Sequence, residues 1–309
     1  MSTYDLTKYE GVFVAMNSCY DEFGEVNPSA AKKLTRFLLD KGVSGLYVGG
    51  STGEGLIQSV EERKRMLEAV MEEARGQAVV IAHIGAANTR DSVELARHAE
   101  QTGADALSSV APFYYRVSDK AVKQHWNAMI DSTELPFIIY HIPSTTGFHL
   151  SASVLQEMKQ NPKVIGVKIT TSSTYELQQF KAIGGDRFVV FNGPDEQYLA
   201  GRMMGANAGI GGTYGVMPEL FVALERQIRA GKLEEALSLQ VRINEIITRM
   251  LELPIYGALK ELIKRRGIDC GGVRAPLEQV IGEHERQLDE LYNRIMQAVG
   301  ECGKLQLQG

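Results

Sequence analysis

The feature that most constrains this chain is a rhythm: eight short apolar runs separated by longer amphipathic stretches, from residue 11 to about residue 230. The runs are GVFVAM (11–16), GLYV (45–48), AVVIAHI (78–84), DALSSV (105–110), PFIIYHI (136–142), VIGVKI (164–169), RFVVF (187–191) and AGIG (208–211). They are continuous rather than alternating in polarity, as a parallel strand requires when helices cover one side and packed core the other. Successive parallel strands must be joined by crossovers, and the stretches between the runs supply them. Eight units are the number that closes a (β/α)8 TIM barrel, an α/β fold; a doubly wound open sheet is the competing arrangement.

The intervening stretches carry helix signals. Pro28 and Ser29 open an apolar pattern at Leu34, Phe37, Leu38 and Val43. Ser59 followed by Glu62 predicts a capping box, with Met66, Leu67 and Val70 as the buried stripe behind it. Further helices are predicted over 89–102, 119–132, 151–160, 173–183, 195–204 and 217–230. Past residue 231, three helical stretches follow with no strand between them, the last near 276–298, interrupted by the turn GGVRAP at 271–276. The expected division is a barrel over 9–230, a helical extension packed on it over 231–300, and a polar tail, 301–309, frayed or disordered.

With 33 basic and 38 acidic residues the formal net charge is -5, so no global positive field is available to hold nucleic acid or an anionic membrane. A small-molecule substrate is expected. Cys19, Cys270 and Cys302 lack any spacing suited to zinc or a disulfide framework, which points to a reduced, cytoplasmic setting. The start, MSTYDLTKYEG, has neither the basic segment nor the apolar core of an export signal, and no apolar run approaches the roughly 18 residues of a membrane span. The six histidines are scattered, and His284-Glu285 lacks the second histidine of an HExxH site, so neither a metal nor another cofactor is expected.

In a parallel β/α barrel the active site forms at the C-terminal strand ends, so polar residues that end apolar runs carry the information. Lys168, inside VIGVKIT, is the sharpest of these, because desolvating an ammonium is expensive. Alternation predicts Val164, Gly166 and Lys168 on one face, with Gly166 leaving space beside the lysine stem. A buried amine is driven toward its nucleophilic free base; the alternative is a lysine past the strand end whose head reaches solvent. Tyr140 closes PFIIYHIP on the neighbouring strand and is placed to relay protons near Lys168, or else packs against the barrel rim. GGSTGEG (49–55) offers small residues, backbone amides and the hydroxyls of Ser51 and Thr52, a setting for a carboxylate or simply a tight turn. It matches neither a P-loop nor GxGxxG. GANAGIGGTYG (205–215) falls where barrels bind phosphate, which keeps a phosphosugar enzyme as a rival. Asp195 and Glu196 open a predicted helix, where capping is the ordinary role and ligand contact the sharper one.

Together GGSTGEG, PFYY (112–115), YHIPSTTG (140–147), GVKIT (166–170) and GIGG (209–212) resemble the pyruvate-dependent class I aldolases, the family of N-acetylneuraminate lyase and dihydrodipicolinate synthase, over about residues 9–300. The resemblance implies a lyase that forms a Schiff base on Lys168, with Tyr140 moving protons and Ser51 and Thr52, beside Gly50, holding the keto acid's carboxylate. It implies that Thr170, Gly193, Asp195, Glu196, Ile210 and Gly212 border the rest of the substrate. Tyr114 matches a tyrosine inserted into a neighbouring subunit's site, which implies a homotetramer built from dimers. Thr145 stands where the synthase branch has an arginine for a second carboxylate, so the sialate-cleaving pattern fits better. Gly212 in place of a serine and His141 in place of an asparagine depart from that pattern. A 2-keto-3-deoxy sugar acid aldolase or dehydratase, and a non-catalytic keto-acid sensor, are the alternatives.

Overall fold

The apolar runs become eight parallel strands that close on themselves in sequence order, β1 beside β2 and so on to β8, which pairs back with β1. They are β1 (Gly11–Ala15), β2 (Gly45–Val48), β3 (Val79–His83), β4 (Ala106–Val110), β5 (Phe137–His141), β6 (Val164–Ile169), β7 (Val189–Asn192) and β8 (Ala208–Gly211). The chain is seen here as a computed structural model, which describes the backbone of residues 4–306 and side chains of 4–303. Barrel closure leaves no sheet edge, and both strand faces are buried, which explains the unbroken apolar runs.

The barrel helices are α1 (Pro28–Asp40), α2 (Val60–Ala74), α3 (Thr89–Thr102), α4 (Asp119–Ile130), a single turn α5 (Pro143–Thr146), α6 (Ala152–Met158), α7 (Thr174–Gly184), α8 (Tyr198–Met203) and α9 (Pro218–Arg229). Helix α1 is capped by Asn27, whose side chain accepts from the Ala30 amide ahead of Pro28. The capping box at α2 is present, with Ser59 and Glu62 each satisfying the other's amide, and Met66, Leu67 and Val70 are buried. The extension comprises α10 (Leu233–Met250), α11 (Ile255–Arg265) and α12 (Glu285–Gln306).

Two differences from the sequence reading concern the extension. Its last helix begins at Glu285 rather than near 276, because Pro276 and Gly282 break the intervening segment. It also continues through 301–306, part of the stretch expected to be a frayed tail; 307–309 lie outside the described residues.

Side chains divide into an outer layer between strands and helices and an inner cluster that fills the barrel, including Phe13, Tyr47, Ile81, Ile138, Ile165 and Phe191. Tyr4, Leu6 and Tyr9 join the inner cluster from the N-terminal segment, and the Tyr9 hydroxyl donates to Asp105 O (2.8 Å) just before β4. Aromatic packing thus closes the end of the barrel at which the strands begin. The opposite mouth is framed by the loops that follow the strands.

The register of β6 departs from simple alternation. Phe137 pairs with Val164, but Ile138 pairs with Gly166, so one extra residue bulges between them. Val164 therefore joins the outer layer while Ile165 points into the barrel, correcting the expectation that Val164 shares a face with Gly166 and Lys168. The bulge has a functional result, since it brings Lys168 directly opposite Tyr140. Gly166 serves a different purpose from the one expected: a Cβ there would lie 2.5 Å from Val189 O, so the glycine permits close approach of β7.

The cysteines, distant in sequence, are not all distant in the fold. Cys19 and Cys270 are buried free thiols on adjoining segments, joined where the Tyr20 amide donates to Cys270 O (2.9 Å). Hydrogen bonding to the Cys270 thiol, followed by burial, holds the Cys19 thiol above its ordinary range. No described helix is long and apolar enough to cross a membrane.

Candidate active site

Lys168 is 5% exposed, inside the barrel near the end of β6. Its Nζ lies 3.7 Å from the centre of the Tyr140 ring and 5.6 Å from that of Tyr47. Aromatic faces tolerate a cation there, yet Lys168 forms no ion pair with a carboxylate among the described residues. The strand scaffold fixes this contact, because Tyr140 and Lys168 are register partners on β5 and β6.

Tyr140 is packed edge-on against Tyr47 (5.9 Å between centres) and His83 (6.0 Å). Burial by itself would raise its phenol, but the Lys168 charge and the facing groups of Lys168, Ser51 and Thr170 outweigh burial and hold it below the ordinary tyrosine value. The site therefore favours a phenol that gives up its proton more readily than one in water.

The loop after β2 approaches the same mouth. The amides of Glu54 and Gly55 turn back onto Ser51 O (3.0 Å) and Gly50 O (3.1 Å), leaving the amides of Ser51 and Thr52 without a partner among the described residues. Gly50 is required because a Cβ would sit 2.6 Å from the Tyr47 ring. Across the mouth, a Cβ on Gly212 would lie 2.8 Å from Thr52 Oγ1, so the loops after β2 and β8 meet. Thr170 Oγ1 is buried without a hydrogen-bond partner, 2.1 Å from where a Cβ on Gly193 would stand. Ile210 is fully buried in the inner cluster.

Asp195 corrects the capping expectation. The turn Asp195–Gln197 is a 3-10 turn capped by Pro194 without a side-chain bond, and the Asp195 carboxylate instead accepts from the Thr213 amide (2.8 Å) and hydroxyl (2.6 Å). It thus ties the loop after β7 to the loop after β8. Glu196 beside it is exposed. Burial pushes the Asp195 carboxyl up to about 7, against the two bonds from Thr213.

A stability consequence follows. A carboxyl raised above its unfolded value stabilises the fold fully at pH below the unfolded value and loses that contribution as pH rises through about 7. Both Thr213 donors converge on one oxygen, so Asp195→Asn can keep them. Thermal melts of the Asn variant and the parent from pH 5 to 9 are expected to diverge, the parent losing on the order of 3 kcal/mol relative to the variant between pH 5 and about 7 and little more above that. A pH-independent difference would contradict the raised carboxyl.

Several residues at this mouth escaped the sequence reading. Tyr47 donates to Ser108 Oγ (3.0 Å) and walls the lysine. His83, noted only as a scattered histidine, ends β3, and its Nδ1 donates to Gly49 O (3.0 Å). Burial, then the nearby Arg63 charge, lowers His83 to about 3, so its ring is neutral. Arg63, buried on α2, donates to His83 O (2.6 Å) and Gly85 O (2.7 Å) and fastens the end of β3. His83 was findable by the strand-end rule; Arg63, on a polar helical stretch, gave no signal. Tyr114 differs from the other candidates in exposure: it is 89% exposed, adopts a positive φ of 73°, and stacks edge-on with Tyr115. Among the described residues, no group of three or more His, Cys, Asp or Glu is arranged to hold a metal ion.

A closed parallel barrel with a buried lysine and a tyrosine paired at its open mouth defines the class: a (β/α)8-barrel protein built for small-molecule chemistry at the strand ends. The pattern of the dihydrodipicolinate synthetase family matches residues 8–295, and the chain belongs to that family. An N-acetylneuraminate lyase of Mediterraneibacter gnavus is 43% identical over 298 residues, covering 95% of each chain. One from Rhizobium meliloti is 37% identical, covering 88% of this chain and 91% of the other. The wild-type sialic acid aldolase of Ruminococcus gnavus superposes with a TM-score of 0.94 at 42% identity, covering 95% of this chain and 99% of that one.

Proposed function

We propose that this protein is a sialic acid aldolase that reversibly cleaves an N-acetylneuraminate-type substrate to N-acetylmannosamine and pyruvate through an imine on Lys168. The observation that carries this reading is the pairing of an unneutralised, buried Lys168 with Tyr140, 3.7 Å from nitrogen to ring centre. Ser51 and Thr52 are assigned to the substrate carboxylate, beside Gly50. The Lys168 amine adds to the C2 carbonyl and water leaves, giving a protonated imine. Tyr140 takes the proton of the C4 hydroxyl, and the C3–C4 bonding electrons move into the imine as the aldehyde sugar departs. The remaining enamine is protonated at C3 and hydrolysed to pyruvate, which restores the amine.

Thr170, Gly193, Asp195, Glu196, Ile210 and Gly212 are assigned to the remainder of the substrate, with Asp195 also organising the wall. Thr145, whose hydroxyl turns back toward Ile142 O (3.3 Å), provides no cation for a second carboxylate, which disfavours the synthase reaction. The exposed, left-handed Tyr114 suits insertion into a second copy, and the assembly is assigned as a homotetramer, which light scattering tests. A cytoplasmic location fits the same metabolic role.

A dehydratase using the same imine is the second reading, favoured by Gly212, which withholds a hydroxyl from the sugar chain. Incubation with N-acetylneuraminate, N-glycolylneuraminate and 2-keto-3-deoxygluconate separates them. Pyruvate plus an aldehyde sugar is expected from a sialic acid. An intact carbon chain missing water would replace this proposal with the dehydratase.

A further inference from the structure

The loop that carries Ser51 and Thr52 is held from behind by the helical extension. Glu54, the sixth residue of GGSTGEG, has a left-handed backbone (φ 55°) and a side chain with 0% exposure. Its carboxylate lies 2.7 Å from Lys260 Nζ on α11, which is 2% exposed, and accepts from the Arg274 amide (2.8 Å). Lys260 also donates to Gly272 O (2.7 Å) and sits 4.1 Å from the centre of the Tyr20 ring. The preceding carbonyl, Gly53 O, accepts from Ser18 Oγ (2.6 Å) and Gln58 Nε2 (3.2 Å).

The Glu54 amide closes the turn onto Ser51 O. Without Lys260 the buried Glu54 carboxylate must take up a proton or move toward water, and in either case the ion-pair tether that holds this turn against α11 is lost, as it is when both partners are made neutral. Ser51 and Thr52 would then move with it. We propose that Lys260 is a positioning residue for the substrate carboxylate, setting the Ser51–Thr52 loop through its buried ion pair with Glu54. This rests on the aldolase reading and extends it: the extension, which supplies no imine-forming group, sets affinity for the keto acid end of the substrate.

The test uses the neutral double variant Glu54→Gln/Lys260→Met, because Lys260→Met alone strands a buried charge and risks unfolding. Pyruvate with borohydride reads imine formation on Lys168, and amide hydrogen exchange reads residues 49–55. The expected result is a folded variant whose half-saturating pyruvate rises at least about tenfold, while kcat stays within about threefold and amides 49–55 exchange faster. Wild-type half-saturation with wild-type exchange overturns the proposal. If the double variant does not fold, Lys260→Arg carries the test, since its larger head must displace Glu54; an unchanged pyruvate half-saturation then overturns it. A parent protein that yields no adduct refutes the aldolase reading instead, and exchange at 49–55 still decides whether the ion pair sets the loop.

Discussion

Replacing Lys168 with methionine is expected to lower aldol cleavage by on the order of 10⁴-fold or more and to abolish the borohydride-trapped pyruvate adduct. Methionine nearly preserves the volume of the lysine stem, and Lys168 has no carboxylate to strand, so folding should survive the change. The chain contains a second deeply buried lysine, which makes the assignment a real choice. Lys260 is 2% exposed, and burial lowers its amine while Glu54 opposes that shift. Its protons are committed to Glu54 and Gly272 O, behind the loop rather than in the barrel. Among the described lysines, Lys168 alone combines burial, freedom from an ion pair and a tyrosine at hand. Peptide mapping of the reduced adduct checks this: label on Lys260, or cleavage surviving in the Met variant within about tenfold of the parent, would end the Lys168 assignment.

The barrel was legible because its constraint is written locally: each strand needs apolar residues on both faces, and each crossover needs one amphipathic helix. β7, read as the run 187–191, starts two residues later, at Val189, and ends one later, at Asn192, because a polar residue can end a strand while still pairing in it. Lys168, Tyr140 and the Ser51–Thr52 loop were readable because each sits where an apolar run stops. What failed depended on contacts between distant segments. The β6 bulge adds one residue that no alternation rule detects, yet it decides that Lys168 faces Tyr140. Asp195 looks like a helix cap until Thr213, eighteen positions away, takes its oxygen. Glu54 lay inside a motif read for its glycines and hydroxyls, and its partner Lys260 lies on a helix whose apolar neighbours hide a buried charge.

Tyr140→Phe is expected to separate binding from catalysis. The change removes one hydroxyl and keeps the ring that stands 3.7 Å from Lys168 Nζ and edge-on to Tyr47. If the tyrosine were only a packing residue, this variant would be nearly silent. As the proton carrier for the C4 hydroxyl, its loss should lower kcat by about 10²- to 10⁴-fold, while pyruvate still forms a trappable imine. The pH profile gives a second, independent reading. Because Lys168, Ser51 and Thr170 hold the phenol below its ordinary value despite burial, the parent's rate should rise with pH through a limb lying below that of a free tyrosine. A base that ionises earlier places its limb at lower pH, so the direction is fixed. That limb should vanish in the Phe variant. Retention of kcat within about threefold, or an unchanged limb, would assign the hydroxyl a packing role and require another group to take the C4 proton.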